Sequence, residues 1–520
     1  MASESYQQTG SFAALLSQAI THPILACFLL TSLLTFTYAF YNAHLHPLRK
    51  YPGPLLWRSF RIPYVIATQR GIIHQRFTSF HAKYGPIVRV APNELSYADS
   101  RALKDIYANR PGHLLFERNP TSFKKMEADE PNSILYWHES DHARYRRAFA
   151  NSFSEKALRE QAPVIEGYVD LFIEQLKKRK KVDLTQWLNY LLFDLSGDLT
   201  YGESWRCLEK GEAHPWVEIS SDFGKGLALI ASVNAYPPVH KLLRFIIPKR
   251  IVQRSMDHRQ MSHEQAQRRI ARDDDRPDWV TPAKKYSELK DHFTDKEWWL
   301  NLLVLAFAGS ETTASALTAI LRLLVQHKGV LHRLAAEIRD TFEQETDITI
   351  SSTGNLPYLN AVIDEGLRLG PPVVIGVPRV VPKGGDTICD RWVPEGTYVT
   401  FNQFSAYRQS YNFPNPNSFI PERFLSSPPS KPSTDPSQPS VPPADLAIFY
   451  PFQLGRHSCI GQKLAYQEMR LVLARLLWSF DIRLEDESDC WDWGEQETYF
   501  FWDKKALSVV LDEARTGGDK

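Results

Sequence analysis

Cys459 stands in the stretch Phe452-Gln453-Leu454-Gly455-Arg456-His457-Ser458-Cys459-Ile460-Gly461, between an apolar run and a helix. The run is Leu446–Phe452. The helix is read from Ala465, Met469, Val472, Leu473, Leu476, Leu477 and Phe480, whose spacing predicts a helix from about Gln462 to Phe480. A cysteine at that point meets free backbone N–H groups and the positive end of a helix dipole, which are expected to lower its pKa and stabilise a thiolate. A thiolate is a soft, electron-rich metal ligand. Gly455 and Gly461 are expected to supply backbone geometry that a side chain would block. An isolated cysteine is most often an inert core residue, so the remaining motifs decide.

The elements that would position such a ligand are helices. The longest candidate opens at Thr294-Asp295-Lys296-Glu297, a capping box, and continues to about Lys328, where Gly329 is expected to stop it. Its length of roughly 50 Å would cross a whole globule. At its middle stands Ala308-Gly309-Ser310-Glu311-Thr312-Thr313, preceded by an apolar run from Leu300 to Ala308 broken only by Asn301. Glycine in a helix centre costs about 1 kcal/mol relative to alanine. A widened turn at Gly309 is the expected return, with the Glu311 carboxyl and the Thr312 hydroxyl as proton carriers beside it. Further on, Glu365 and Arg368 share a helix face at i,i+3. By itself that is a surface pair of little worth.

Composition narrows the class. The chain has 520 residues, a formal charge of +1 and five scattered cysteines without zinc-ligand spacing. Nucleic-acid binding has no general support in that charge, and no disulfide framework is suggested. Residues Pro23 to Tyr41 carry no charge and would reach roughly 28 Å as a helix, close to a hydrocarbon core. No Lys or Arg precedes them, whereas Arg49, Lys50, Arg58 and Arg61 follow, which points the bulk of the chain to the cytosol. The expected organisation is a tail (1–22), a transmembrane anchor (23–41), a proline-rich hinge (42–54, with His46-Pro47 and Tyr51-Pro52-Gly53-Pro54) and one globular domain (55–520). Ile87–Val90 and Glu94–Tyr97 read as a β-hairpin, and helical patterns fill Asp141 to Lys181. The Ser/Pro-rich stretch from Ser426 to Asp445 reads as a surface loop.

The pattern F-x-x-G-x-x-x-C-x-G resembles the haem-binding loop of the cytochrome P-450 family, in which the Cys is the axial iron ligand. The resemblance extends in order from the apolar segment through the helix motif Gly309–Thr312, Glu365-x-x-Arg368 and Pro421-Glu422-Arg423-Phe424 to the Cys loop. His46–Pro54 and His142–Phe149 are similar in wording to fungal members. One position departs: the residue two before the Cys is usually Arg, and here it is His457, with Arg456 beside it.

The resemblance implies a mainly α fold with a smaller β region, one haem b ligated by Cys459, and electrons from NADPH through a separate flavoprotein reductase, with cytochrome b5 as an additional donor. Phe452 and Gly455 would shape the haem loop. His142, Arg146 and Arg379 would meet the haem propionates, and His457 is the uncertain fourth. Gly309, Glu311 and Thr312 would serve dioxygen activation. Glu365, Arg368 and Arg423 would form a buried structural network, and the basic run Arg144–Arg147 could help dock an acidic reductase. The pocket would draw on the loop 110–131 with Leu114, Leu115 and Phe116, the segment 305–308, Val373, Val374 and Ile375, and the late residues Tyr499, Phe500 and Phe501. These are mostly apolar, so a hydrophobic substrate is expected. The implied activity is a monooxygenase of the endoplasmic reticulum membrane, in a fungal terpenoid, polyketide or alkaloid pathway. The alternatives are a haem-thiolate isomerase or dehydratase that uses no dioxygen, and a non-catalytic haem sensor or carrier.

Overall fold

The computed structural model describes residues 23–120, 130–135, 139–236, 248–425 and 444–514. The expected tail, nearly all of the Ser/Pro-rich stretch and residues 121–129 of the pocket loop therefore lie outside the described residues.

The fold is organised by the helix Asp295–Gln326, called here the central helix. Its capping box forms as expected: the Thr294 hydroxyl accepts from the Glu297 N–H, and the Glu297 carboxylate accepts from the Thr294 N–H at 2.8 Å. Packed on it are the helices Leu184–Tyr201, Lys249–Ala271, Pro357–Leu369 and Gln462–Ser479. Gly366 lets one of these approach closely, since a Cβ there would run into the Ile320 side chain. Gly329 is not the stop. The central helix ends at His327, at φ −114° and ψ 70°, whose backbone N–H and ring both bond the Leu323 carbonyl. Gly329 then lies inside the following helix, Lys328–Thr341, where it needs no special conformation.

Among the described residues, sheet is confined to three small pieces. Strands β1 (Ile87–Ala91) and β2 (Glu94–Tyr97) form the expected antiparallel hairpin. Taking β3 as Lys181–Asp183, β4 as Arg379–Val380, β5 as Asp386–Ile388, β6 as Arg391–Val393, β7 as Tyr398–Phe401, β8 as Phe480–Leu484 and β9 as Ser508–Glu513, the first sheet has the order β1-β2-β7-β4. A second sheet runs β3-β9-β8, and β5 pairs with β6.

The N-terminal apolar helix Pro23–Phe40 continues to Leu45 through a π-helical turn in which Asn42 and Ala43 are buried, and the most apolar 18 residues of this span have a mean hydropathy of 1.8 and no burial against the rest of the chain. It stops where His46 turns extended ahead of Pro47. The segment after it is tied down: Asn42 Nδ2 donates to the Ser59 carbonyl at 3.1 Å, and Arg89 of β1 donates to the Asn42 carbonyl at 2.8 Å.

The Glu365 network holds the approach to the Cys loop. Arg368 grips Glu365 with two hydrogen bonds of 2.6 and 2.8 Å. It also donates to the carbonyls of Tyr407, Pro416 and Ser418. Arg423 completes the cluster 3.4 Å from Glu365, and the Ile420 N–H donates to the same carboxylate. All three ionic side chains are fully buried. Removing one partner leaves an uncompensated buried charge. Arg368→Ala is therefore expected to lower the unfolding free energy by about 3–5 kcal/mol. Lys178→Ala, which breaks an exposed pair with Glu174, should cost under about 1 kcal/mol. Denaturant unfolding of both variants checks the contrast.

Candidate active site

The Cys loop is shaped by two residues in left-handed backbone, Gln453 at φ 63° and Gly455 at φ 79°. A Cβ on Gly455 would run into the Tyr107 carbonyl oxygen, so glycine is required there on both counts. Gly461 is different: its φ is −88°, and an added Cβ would meet nothing closer than 3.9 Å. The Cys459 N–H donates to the Phe452 carbonyl at 2.8 Å, closing the loop, and the Phe452 ring lies 5.2 Å from that of Tyr466. The helix after the loop begins at Gln462. Burial raises the Cys459 thiol above its ordinary pKa, against the opposing pull of the Gly461 N–H and the Arg146 guanidinium. The expected lowering is thus reversed, because desolvation outweighs the helix terminus. Cys459 nevertheless keeps exposed surface.

Four of the expected cofactor-binding side chains converge near it, with a fifth that sequence reasoning missed. Arg146 donates to the Ser458 carbonyl at 2.6 Å, next to Cys459. His142 and His457 stack with ring centroids 3.8 Å apart, and His457 Nε2 lies 3.0 Å from Glu139. Arg379 of β4 is buried and donates to the Phe116 carbonyl at 3.4 Å. Arg118, the missed residue, bridges backbone to backbone with Arg379 and is 6% exposed. Its loop position offers no periodicity by which to single it out. Desolvation, with Arg118, Arg146 and Arg379 nearby, lowers His142 to about 3. Desolvation and the same arginines lower His457 as well. Desolvation and the Arg379 charge lower Arg118 to about 9.

The central helix faces this region with one stripe. Among its residues, almost all buried from Glu297 to Val325, Val304, Ala308 and Thr312 keep accessible surface at i, i+4 and i+8, with Gly309 beside them. Gly309 has a packing role as well: a Cβ there would come 2.7 Å from the Trp279 ring. The expected widened turn is absent, because the helix is continuous through Gly309. The Thr312 hydroxyl instead donates to the Ala308 carbonyl at 2.7 Å. Glu311 is buried and accepts from Lys504 at 2.6 Å and from Ser315 at 3.1 Å. Lys504, in an irregular segment near the C-terminus, gave no sequence signal.

The pocket-lining expectations divide. Phe501 packs on Phe307 of the central helix at 5.0 Å, and Val373, Ile375, Tyr499, Phe500, Leu114 and Leu115 keep surface. Phe116 and Val374 do not: Phe116 joins the β-region core, and Val374 packs with Trp493 and Trp502. The run Arg144–Arg147 is not a free basic patch either. Arg144 pairs with Asp291 and Glu297, and Arg146 is committed to Ser458.

The residues present fit a haem. His142 Nδ1, His457 Nδ1 and Arg379 Nε are buried polar atoms without a hydrogen-bond partner, and buried polar atoms ordinarily have one. With Arg118 and Arg146 they form a concentration of donors suited to an anion such as a propionate pair. Glu139, His142 and His457 lie close enough, within 4.8 Å, to hold a metal ion, but three arginines around them disfavour a cation there. A surface-bearing thiol, an accessible helix stripe and an anion-seeking cluster are the parts that a haem-thiolate site needs. The sequence pattern of the cytochrome P450 family matches residues 48–509, and the chain belongs to that family. It is 40% identical to the cytochrome P450 monooxygenase astJ of Aspergillus oryzae, over 91% of this chain and 93% of that protein. It is 35% identical to the averantin hydroxylase of Dothistroma septosporum, over 92% and 89%. The trichothecene C-15 hydroxylase of Fusarium sporotrichioides is also 35% identical, over 91% and 94%. The chain is a haem-thiolate monooxygenase that takes electrons from a redox partner.

Two outcomes follow from the local geometry. Gly455→Ala should cost well over about 1 kcal/mol in unfolding free energy, whereas Gly461→Ala should stay within about 1 kcal/mol. Glu468, on the helix after the Cys loop, is buried and pushed up to about 8 by desolvation, opposed only by its hydrogen bond with Thr313. A carboxyl raised in the folded state contributes stability that is fully present below its unfolded value. That stability is lost as pH rises to the folded one, at ~1.4 kcal/mol per pH unit. The unfolding free energy of Glu468→Gln should therefore fall less than that of the parent chain between pH 5 and 8, read by denaturant titration across that range.

Proposed function

We propose that this enzyme hydroxylates, or otherwise oxidises, a hydrophobic small molecule at a haem b ligated by Cys459, with electrons delivered from NADPH by a separate flavoprotein reductase, cytochrome b5 being a second donor. The observation that supports the residue assignment is the cluster of Arg118, Arg146, Arg379, His142 and His457 beside the Cys loop, with Arg146 bonded to the carbonyl of Ser458, next to the surface-bearing Cys459. When bound, the haem supplies dioxygen activation and the insertion of one oxygen atom into the substrate.

The chain's own residues hold, exclude and deliver. Arg118, Arg146, Arg379, His142 and His457 would hold the propionates, the histidines as neutral donors, because burial among arginines keeps them unprotonated. Phe452 and Gly455 shape the loop under the ligand. Thr312 would turn its hydroxyl from the Ala308 carbonyl to pass a proton at the stripe, and Glu311 would resupply it. Gly309 keeps the helix surface low beside Thr312. Phe307, Phe501, Val373 and Ile375 offer an apolar wall that excludes water and suits a substrate without charge. Two relatives are named for action on averantin and a trichothecene, which supports a fungal secondary metabolite as the substrate class. The span Pro23–Leu45 supports a single-pass anchor in the endoplasmic reticulum membrane, with the globule on the cytosolic side. The division into tail, anchor, hinge and one haem domain is kept as part of this reading.

The carbon monoxide difference spectrum of the reduced protein is expected to show the strongly red-shifted band of thiolate ligation, and Cys459→Ser to lose it. A band at the position of histidine-ligated haem would overturn the ligand assignment. Thr312→Ala should divert reducing equivalents from product to peroxide, measured as peroxide formed per NADPH consumed. Unchanged coupling would remove Thr312 from proton delivery.

A further inference from the structure

Lys504 is the one cation that the fold brings into hydrogen-bond contact with Glu311 among the described residues. Its Nζ donates to Glu311 Oε1 at 2.6 Å and to Asn189 Oδ1 at 3.0 Å, so it links the C-terminal segment, the helix Leu184–Tyr201 and the central helix. The two charged side chains are nearly sealed, at 7% and 10% exposure. Ser315 donates to the same oxygen, Oε1, at 3.1 Å. The other oxygen, Oε2, accepts nothing from the described residues. Both fixed donors thus seize one side of the carboxylate and leave the other to exchange a proton.

The route to solvent is short. Asp503, the preceding residue, pairs with Lys225 at 2.7 Å with both side chains more than two-fifths exposed, and Lys505, the next, is exposed. A lysine placed one residue from the surface and bonded to a buried carboxylate supplies the partner that an acid needs in such a site.

We propose that Lys504 is a positioning residue for the reaction: it clamps Glu311 at Oε1 and leaves Oε2 available, so that Glu311 takes a proton from the solvent side and returns it toward Thr312. This rests on the reading of Glu311 as the relay acid. The proton gained at Oε2 is the proton lost there, and Lys504 keeps its own.

The test uses the full-length haem-loaded chain with its reductase, in the variants Lys504→Met, Lys504→Arg, Glu311→Gln and Glu311→Gln/Lys504→Met. The share of reducing equivalents released as peroxide is measured across pH, and unfolding is measured on the haem-free chain. Lys504→Met should raise the peroxide share severalfold and move its pH midpoint upward, since the stranded carboxylate now holds its proton more tightly. Lys504→Arg should restore most of the coupling. Adding Glu311→Gln to Lys504→Met should leave the peroxide share unchanged and recover at least about tenfold in the folding equilibrium, because the stranded charge is gone. If Lys504→Met alone fails to fold, recovery of folding in the double variant tests the same contact. Uncoupling by Glu311→Gln with a parent-like peroxide share and pH midpoint in Lys504→Met would overturn the role of Lys504, reduce the contact to a structural ion pair and leave the Glu311 reading standing. Unchanged coupling in Glu311→Gln would overturn both.

Discussion

The site is governed by an imbalance of charge. Arg118, Arg146 and Arg379 are brought together around two stacked imidazoles, with Glu139 as the carboxylate in contact with His457. Desolvating a guanidinium is costly, and backbone carbonyls offset part of that cost: Ile134 for Arg118, Ser458 for Arg146, Phe116 for Arg379. Each such bond fixes a different stretch of irregular chain. The cluster therefore draws Phe116, Arg118 and Ile134, the strand β4 and the Cys loop to one place, and an anionic group bound there would complete it. The Glu365 network solves the same problem in the opposite way, by supplying one acid to two arginines and sealing the whole group.

Thiolate chemistry depends on how the sulfur is presented. The helix behind Cys459 begins only at Gln462, and burial dominates over its terminus. If Cys459 is the iron ligand proposed above, its deprotonation would be left to the metal, since a soft thiolate suits such a partner. The loop geometry does the rest, through the Cys459–Phe452 backbone bond and the glycine that clears Tyr107.

Where one residue type has one physical use, the chain could be read directly. The capping box at Thr294 and the β1–β2 hairpin stand where their spacing put them, and the buried Glu365–Arg368–Arg423 network, a surface pair by spacing alone, stands where the family resemblance put it. The errors share a cause. Gly329, Gly461 and the turn at Gly309 were assigned backbone roles from residue type, yet φ and contact at each site show an ordinary conformation or a packing need. Arg118 and Lys504 lie in irregular segments, where no period marks the inward side. Arg144 reads as surface charge until Asp291 and Glu297 close on it from distant parts of the chain. Long-range partners of single side chains are what one-dimensional patterns omit.

The segment from Glu497 to Lys504 is a closed loop, tied by Tyr499 N–H to the Phe501 carbonyl at 3.0 Å and Asp503 N–H to the Glu497 carbonyl at 2.9 Å. Phe501 on that loop touches the apolar wall at Phe307, and Lys504 ends it. A molecule large enough to displace the aromatic ring would drag the ammonium along with it. On the proposed roles of Lys504 and Glu311, recognition of the guest and the timing of acid supply would then be mechanically one event, so that an ill-fitting guest would be punished by wasted electrons before it was ever oxidised.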